Sequence, residues 1–282
     1  MRYIEHLPAP SLRSIVRYYG FLDQPDTFNE AITHVTPPSL SKGLMFHYFR
    51  ESELLTDNGV FKGNLPLGFI MTQAVKPNSW TFNKGWSILA VIFQPGMFRK
   101  IFPFSTVGLS DYFILFDDLK NKCYVDLLEQ ISLASDNNAR IELLDHFFLS
   151  ELTDVDTNDD YVDFFIKSLF KSPSNPIHEL TKDIPMTDRN FRRHFLREIG
   201  LSPKKYQRLV KFSKAFHLLQ TGGFNKLSSL AYSCGYYDQS TFIREFKQYL
   251  DTTPSEFLRQ INPFAKNIHW KDKTDEYSYG ME

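Results

Sequence analysis

The first hundred residues contain short apolar segments that predict β-strands. Residues 14–22, 43–49 and 86–93 are rich in aromatic and β-branched side chains, and proline, glycine or asparagine bounds them. Several short strands at this spacing are typical of a small barrel or sandwich. Residues 97–102 follow a Gln-Pro-Gly break and predict a short helix. We therefore expect a cupin-like β-barrel or sandwich with helices in this half of the chain.

The hydrophobic period changes after residue 116. Apolar residues then recur at the spacing of amphipathic helices. They are Leu127, Leu128, Ile131 and Ala134, followed by Ile141, Leu144, Phe148 and Leu152. These helices either pack on the strands or form a homodimer interface. The acidic, polar segment 153–160 predicts a loop or hinge.

The pattern divides the chain into four parts, and the expected fold class is α+β. Residues 1–115 are expected to form a β-rich sensor domain, and 116–160 a helical connector. Residues 161–266 are expected to form an all-α domain. Residues 267–282 are polar and aperiodic, which predicts a loose tail.

The third part contains an internal repeat. The first copy is Ile177, Leu180, Thr181 and Ile184 followed by Phe191 and Phe195, and the second is Leu227, Leu230, Ala231 and Cys234 followed by Phe242 and Phe246. Pro185 interrupts the first copy and Gly235 the second. Each copy predicts a short helix, a tight turn and a second helix, which is the helix-turn-helix plan used twice.

Capping residues support these helix boundaries. Thr187 and Asp238 are good N-caps for the second helix of each copy. Ser202 and Thr253 each precede a proline, which favours the first position of a helix. Thr253 and Glu256 have the spacing of a capping box.

The second helix of each copy presents a polar arc beside its apolar stripe. At about 100° per residue, four arginines share the arc of the first helix. They are Arg189, Arg192, Arg193 and Arg197, with Leu196 among them as a packing residue. In the second helix the arc holds Ser240, Thr241, Arg244, Lys247 and Gln248. Such side chains pair with base edges and phosphates, whereas four unpaired arginines on one helix repel each other.

Residues 203–221 predict a linking helix between the two copies. At 1.5 Å per residue its 19 residues span roughly 28 Å. Successive major-groove faces on one side of DNA lie about 34 Å apart. A rigid helix of this length can therefore set two reading helices in adjacent grooves.

Composition and charge narrow the function classes. Apolar residues make up 42% of the 282 positions and cysteine only two, so we expect a globular protein of a reducing cytoplasm. The apolar runs are too short for a membrane span, and no signal peptide is evident. Residues 161–266 hold 17 basic and 9 acidic side chains, whereas 1–160 hold 13 and 20. One basic domain beside an acidic one predicts a polyanionic partner.

Residues 177–258 resemble the DNA-binding domain of AraC/XylS-type transcription regulators. The resemblance rests on Phe191-x-Arg193-x-Phe195, Gly200-x-Ser202-Pro203-x-x-Tyr206, Ala215-x-x-Leu218-Leu219, Leu230-Ala231-x-x-Cys234-Gly235-Tyr236, Asp238-x-Ser240-x-Phe242-x-Arg244-x-Phe246-Lys247 and Thr253-Pro254-x-x-Phe257. It implies a bacterial regulator whose two recognition helices enter the major groove of double-stranded DNA. Thr181 departs from the pattern, because the family usually has alanine there, and this predicts looser packing of the first copy.

The resemblance implies a role for particular side chains. The base-facing residues would be Arg189, Arg192, Arg193, Gln239, Ser240 and Arg244. Phosphate contacts would fall to Thr187, Lys205, Thr241 and Lys247. Contact with RNA polymerase and homodimer formation are further expectations for such a regulator.

The function of the amino-terminal half is less determined by its residues. Aromatic side chains there either line an apolar pocket for a small-molecule effector or simply form the core. They are Tyr18, Phe46, Tyr48, Phe82 and Trp86, with Phe21 in the same pattern. His6, His34 and His47 lie apart in the sequence, so we expect neither a metal site nor a cofactor.

Three function classes follow from these observations. The leading hypothesis is a sequence-specific DNA-binding transcription regulator. The alternative is a protein-interaction scaffold that has lost DNA binding and keeps the basic helical domain. An enzyme fused to a DNA-binding domain is the third, but the chain has no nucleophile elbow, P-loop, dinucleotide fingerprint or zinc-protease motif.

Overall fold

The structure is a computed structural model, and it describes residues 2–24, 32–50, 54–57, 62–64, 66–82, 86–102, 104–119, 122–152, 160–222 and 224–260. Within these ranges, strands occupy the amino-terminal half and helices the carboxy-terminal part. The expected α+β class is therefore confirmed. The tail predicted at 267–282 lies outside the described residues. None of the helices described has the length and apolar character needed to cross a membrane.

The larger sheet is antiparallel and has six strands. In spatial order they are β1 (Arg2–His6), β2 (Val16–Gln24), β9 (Trp86–Phe93), β4 (Gly43–Arg50), β7 (Gly68–Met71) and β10 (Phe113–Leu115). The three segments predicted as strands are its neighbouring members β2, β9 and β4. The antiparallel ladder between β2 and β9 runs from Val16 opposite Phe93 to Gln24 opposite Trp86.

A second antiparallel sheet has four strands. In spatial order they are β3 (Ile32–Thr36), β8 (Asn78–Phe82), β5 (Leu54–Asp57) and β6 (Lys62–Asn64). Among the described residues no strand ladder joins the two sheets, so the barrel alternative of the prediction is wrong. A closed barrel requires a continuous ladder, whereas two open sheets can cover apolar surface between them.

Strand β9 is buried on both faces of the larger sheet. Leu89, Val91 and Phe93 belong to a core that includes two helices, α2 (Cys123–Leu133) and α3 (Asn137–Glu151). On the other face, Trp86 and Ile88 pack with Phe69 and Trp80. Successive side chains of a strand point to opposite faces, so double burial explains why β9 is continuously apolar from Ile88 to Phe93. The short helix predicted after β9 is α1 (Met97–Ile101).

The carboxy-terminal helices have a core of their own. They are α4 (Asp160–Lys171), α5 (Ile177–Leu180), α6 (Asp188–Ile199), α7 (Pro203–Thr221), α8 (Leu227–Ser233), α9 (Gln239–Leu250) and α10 (Pro254–Gln260). The buried members of this core lie between Val162 and Tyr249. Phe165 of α4 contacts both Phe191 and Phe195, with ring centroids 5.1 Å apart in each pair. Helix α4 thus packs on the first copy of the repeat.

Candidate nucleic-acid interface

The first unit of the repeat consists of α5, a tight turn and α6. The Asn190 N–H donates to the Thr187 hydroxyl at 3.4 Å, which is the predicted N-cap. Phe191 and Phe195 are buried, as the apolar stripe predicts. Thr181 is also buried, and its hydroxyl donates to the Ile177 carbonyl at 3.0 Å. A β-branched residue that bonds backwards in this way is poor at continuing a helix. Helix α5 accordingly has only four residues.

All four arginines of the predicted arc are exposed on α6. They are Arg189, Arg192, Arg193 and Arg197. Two have acidic neighbours, because Arg192 lies 3.5 Å from Asp188 and Arg197 lies 2.7 Å from Glu198. Both arginine side chains are more than half exposed, so their guanidinium groups remain accessible to a partner. Leu196 is half-buried, which agrees with its interpretation as a packing residue.

The second unit consists of α8, a turn at Gly235 and α9. The Thr241 N–H donates to Asp238 at 2.6 Å, and this bond lowers the pKa of the Asp238 carboxyl so that the cap stays charged. Gly235 has a φ of 85°, and a Cβ there would lie 2.9 Å from the Ser174 nitrogen. The turn therefore requires glycine for both conformation and space. Phe242 and Phe246 are buried beneath α9.

Helix α9 presents the predicted polar face to solvent. Ser240, Arg244, Lys247 and Gln248 are exposed, and Gln239 and Thr241 are half-buried. Arg208 of α7 donates to Glu245 and to Gln248, each at 2.8 Å. These bonds tie α9 to the linking helix, and they occupy one oxygen of Glu245 and the side-chain oxygen of Gln248. Sequence reasoning missed this role of Arg208, since its partners lie 37 and 40 residues away.

Helix α7 has the predicted 19 residues and joins the two units. The Lys205 N–H donates to the Ser202 hydroxyl at 3.3 Å, as the capping residues predict. The capping box of α10 also forms, with the Thr253 N–H donating to Glu256 at 2.8 Å. Lys205 is exposed beside the amino terminus of α7. The predicted contact residues thus lie on two capped, exposed helices and on the helix that separates them.

Two exposed tyrosines flank the turn of the second unit. Tyr237 is 90% exposed and directly precedes the Asp238 cap, and Tyr232 of α8 is 62% exposed. Neither was predicted from the sequence, because the predicted contact residues are charged and polar side chains of the second helices, their caps and the linking helix. The sequence repeat pairs Tyr237 with Met186, which is half-buried. Both copies thus place a large side chain directly before the N-cap of the recognition helix.

A cavity of about 150 Å³ lies between the larger sheet and α7. Tyr18 lines it, together with Met45, Ala90 and Ile92 of the sheet and Phe212 and Phe216 of α7. Tyr18 is therefore the one predicted pocket residue whose described side chain reaches this cavity. Among the described residues there is no group of three side chains arranged to hold a metal ion.

The other predicted pocket residues lie elsewhere. Phe46 points to the opposite face of the sheet, where its ring centroid is 5.2 Å from that of Phe116. Tyr48 donates to Asp23 at 2.7 Å, and Trp86 packs in the cluster between the sheets. The prediction that they line the cavity is corrected, because strand alternation turns Met45 rather than Phe46 towards it. The side chain of Phe82 lies outside the described residues.

The fold and these exposed faces define a double helix-turn-helix domain. Residues 180–260 match the family model described as "Helix-turn-helix domain". The predicted resemblance is confirmed, and this segment is an AraC-type helix-turn-helix domain. The match covers the recognition helices α6 and α9 and the linking helix α7.

Individual proteins are similar to parts of the chain. An uncharacterized HTH-type transcriptional regulator of Haemophilus influenzae is 28% identical over 97 residues, which are 34% of this chain and 32% of the relative. The match thus spans about a third of the length of that curated relative. Among solved structures, ToxT of Vibrio cholerae has a TM-score of 0.48 at 13% identity, covering 85% of this chain and 98% of ToxT. The DNA-binding domain of AdpA in complex with a target DNA has a TM-score of 0.34 at 18% identity, covering 36% and 92%.

Proposed function

We propose that the protein is a sequence-specific DNA-binding transcription regulator whose α6 and α9 enter successive major grooves. The observation that carries the proposal is the pair of N-capped helices with exposed polar faces on one domain. Base-facing roles are assigned to Arg189, Arg192, Arg193, Gln239, Ser240 and Arg244. Phosphate contacts are assigned to Thr187, Lys205, Thr241 and Lys247.

The chemistry of these faces suits DNA. Arginine forms two hydrogen bonds to guanine O6 and N7, and glutamine does so to adenine, so both faces can read base edges. Helix N-termini and exposed lysines bind phosphate. Helix α7 has 19 residues and a length of roughly 28 Å, which is close to one turn of DNA.

The test is a selection from random-sequence DNA with the purified full chain, followed by affinity measurements on the selected site. Arg193→Ala and Arg244→Ala are each expected to cost ~1–3 kcal/mol of binding free energy and to relax specificity at different base pairs. Arg13→Ala is the matched control, because Arg13 is an exposed arginine of the amino-terminal half. Unchanged affinity of both variants for every sequence contradicts the assignment.

Salt dependence separates this proposal from the scaffold alternative. A protein that displaces counterions from several phosphates loses affinity by orders of magnitude between about 50 and 200 mM salt. A scaffold that has lost DNA binding selects no sequence and shows no such slope for DNA. The same titration of Lys247→Ala is expected to reduce the slope by about one.

We also propose that the cavity binds a small-molecule effector. Its lining is mostly apolar with a few polar groups, which is the usual composition of ligand sites. Phe212, Phe216 and His217 of α7 contribute to it, so an occupant would touch the helix that separates the recognition helices. Homodimer formation, contact with RNA polymerase and a cytoplasmic location stay predictions from the sequence.

A cavity-filling variant tests the effector proposal. Ala90 lies on the sheet side of the cavity, and Ala90→Phe is expected to fill part of the space. Small-molecule fractions of a cell extract are expected to raise the melting temperature of the wild-type protein and not that of the variant. An equal rise in both proteins contradicts binding in this cavity.

A further inference from the structure

The carboxy-terminal end of α6 is held by side chains of the amino-terminal half. Lys42 directly precedes β4, and its Nζ donates to the Ile199 carbonyl at 2.7 Å and to the Thr106 hydroxyl at 3.2 Å. Lys42 is only 8% exposed. Ile199 is the last residue of α6, and the final carbonyls of a helix have no partner within it. Lys42 therefore supplies from another part of the chain the hydrogen bond that this helix end lacks.

Two further contacts hold the same helix end. Arg99 of α1 lies with its Nε 3.2 Å from Glu198, the penultimate residue of α6. Gly200 follows with a φ of 83°, and a Cβ there would lie 2.5 Å from the Thr106 hydroxyl oxygen. The backbone after α6 thus lies directly against the segment around Thr106. One end of the first recognition helix thus meets the amino-terminal half at Lys42, at Arg99 and at Thr106.

The end of the second recognition helix is held differently. Helix α9 ends at Leu250, and the C-cap Asp251 that follows is exposed and has a φ of 53°. Among the described residues, the hydrogen bonds that tie α9 to another element come from Arg208 of α7, within the same domain. In the described part of the chain, side-chain contacts from the amino-terminal half reach the carboxy-terminal end of α6 and not that of α9.

We propose that Lys42 is a positioning residue for the first recognition helix and thereby sets how Arg189, Arg192 and Arg193 meet DNA. This inference rests on the proposed function. The Lys42 amine satisfies a terminal carbonyl of α6 through a hydrogen bond that it donates whether or not it is charged. Loss of the contact lets α6 rotate about its packed phenylalanines. The predicted result is loss of base discrimination by the first unit only.

The test compares Lys42→Met with Lys42→Arg in the full chain. Every base pair of the selected DNA site is substituted in turn, and the affinity of each protein is measured. Arg193→Ala and Arg244→Ala mark which base pairs belong to the first and the second unit. In Lys42→Met, discrimination at the first set is expected to fall about 3- to 30-fold, and discrimination at the second set is expected to stay unchanged. Lys42→Arg keeps a buried donor and is expected to retain most of the discrimination.

The other outcomes contradict either the role of Lys42 or the proposed function itself. Equal losses at both sets of base pairs, or no loss at either, overturn the positioning role of Lys42. Failure of the wild-type chain to select any DNA overturns the proposed function itself, and with it this inference. If the melting curve shows that Lys42→Met does not fold, Arg99→Gln tests the same set of contacts at the end of α6. Arg99 is 31% exposed and is therefore less buried than Lys42. Unchanged base discrimination in Arg99→Gln then contradicts the proposal that these contacts position α6.

Discussion

The two helix-turn-helix units share one sequence plan but are supported in different ways. The first unit begins with a four-residue helix that contains buried Thr181, and its recognition helix is gripped by Lys42 of the amino-terminal half. The second begins with the seven-residue helix α8, which contains Ala231, and Arg208 ties its recognition helix to α7. Duplication therefore preserved the capped recognition helix and not its supports.

The two helix-turn-helix units therefore need not respond alike to changes in the rest of the protein. The first unit is locally weaker, because a short helix has few internal hydrogen bonds, and it relies on contacts from outside the domain. For the second unit, the described hydrogen bonds to its recognition helix come from Arg208 of α7, within the same domain. A signal received by the amino-terminal half is therefore expected to reach the first unit directly and the second only through α7.

The largest expected effect comes from Gly200→Ala, with Gly222→Ala as its matched control. Both glycines have a positive φ, 83° and 76°, and both follow a helix. A Cβ at Gly222 meets nothing within 4 Å, whereas one at Gly200 clashes with Thr106. Denaturant unfolding is expected to show a loss of roughly 3 kcal/mol for Gly200→Ala and roughly 1 kcal/mol for Gly222→Ala. Equal losses mean that the contact with Thr106 does not constrain the first unit.

The next effect is a pH dependence of stability that Lys42 confers. Burial lowers the pKa of Lys42 to about 7, and Glu198 of α6 opposes part of this shift. The other charged groups nearby are Arg99 of α1 and Arg17 of β2. Between about pH 7 and 10 the unfolded chain binds a proton at Lys42 that the folded chain does not, so stability rises with pH in this window.

Lys42→Met is the variant that checks this sign. Its stability curve, measured by denaturant unfolding at several pH values, is expected to lack a slope of about 1 kcal/mol per pH unit present in the wild type. Below about pH 7 both curves are expected to run parallel, because Lys42 is then protonated in the folded and the unfolded chain. Parallel curves above that pH as well disprove the assigned titration.

Arg208→Ala is expected to impair DNA binding by the second unit, as Lys42→Met is expected to impair base discrimination by the first. The substitution removes the guanidinium that donates to both Glu245 and Gln248, and the Glu245 side chain is only 14% exposed. We expect a loss of ~1–2 kcal/mol in binding at the base pairs read by α9, and unchanged discrimination at those read by α6. Arg259→Ala, on the exposed surface of α10, serves as a control of equal charge change. A loss of affinity confined to the base pairs read by α6 contradicts the assignment of Arg208 to the second unit.

The smallest expected effect concerns Tyr237. An aromatic side chain that is 90% exposed beside the start of α9 is well placed to contact the DNA backbone, where a phenol donates to phosphate. Tyr237→Ala is expected to lower affinity by ~0.5–1 kcal/mol and Tyr237→Phe by less, with unfolding unchanged to within ~0.5 kcal/mol. Met186→Ala is the corresponding change in the first unit. No difference between Tyr237→Ala and wild type in DNA titrations removes Tyr237 from the interface.

Much of the helical domain was predictable because its signals are local. Period, caps and breakers act within a few residues, so the boundaries of α6, α7 and α9 follow from Thr187, Ser202 and Asp238. The cavity lining was mostly mispredicted for a physical reason. Phe46 and Met45 are adjacent and both apolar, and the sequence does not say which face of a doubly covered sheet meets α7.

Local sequence signals were sufficient to predict two capped recognition helices, the exposed arginine and polar faces on them, and the 19-residue helix between them. The contact between the amino-terminal half and the first unit follows instead from the packing of the folded chain. The contacts of Lys42 with Ile199 and of Arg208 with Glu245 join residues 157 and 37 positions apart. Such pairs leave no periodic trace along the chain, because each depends on how whole elements pack and not on the spacing of neighbours.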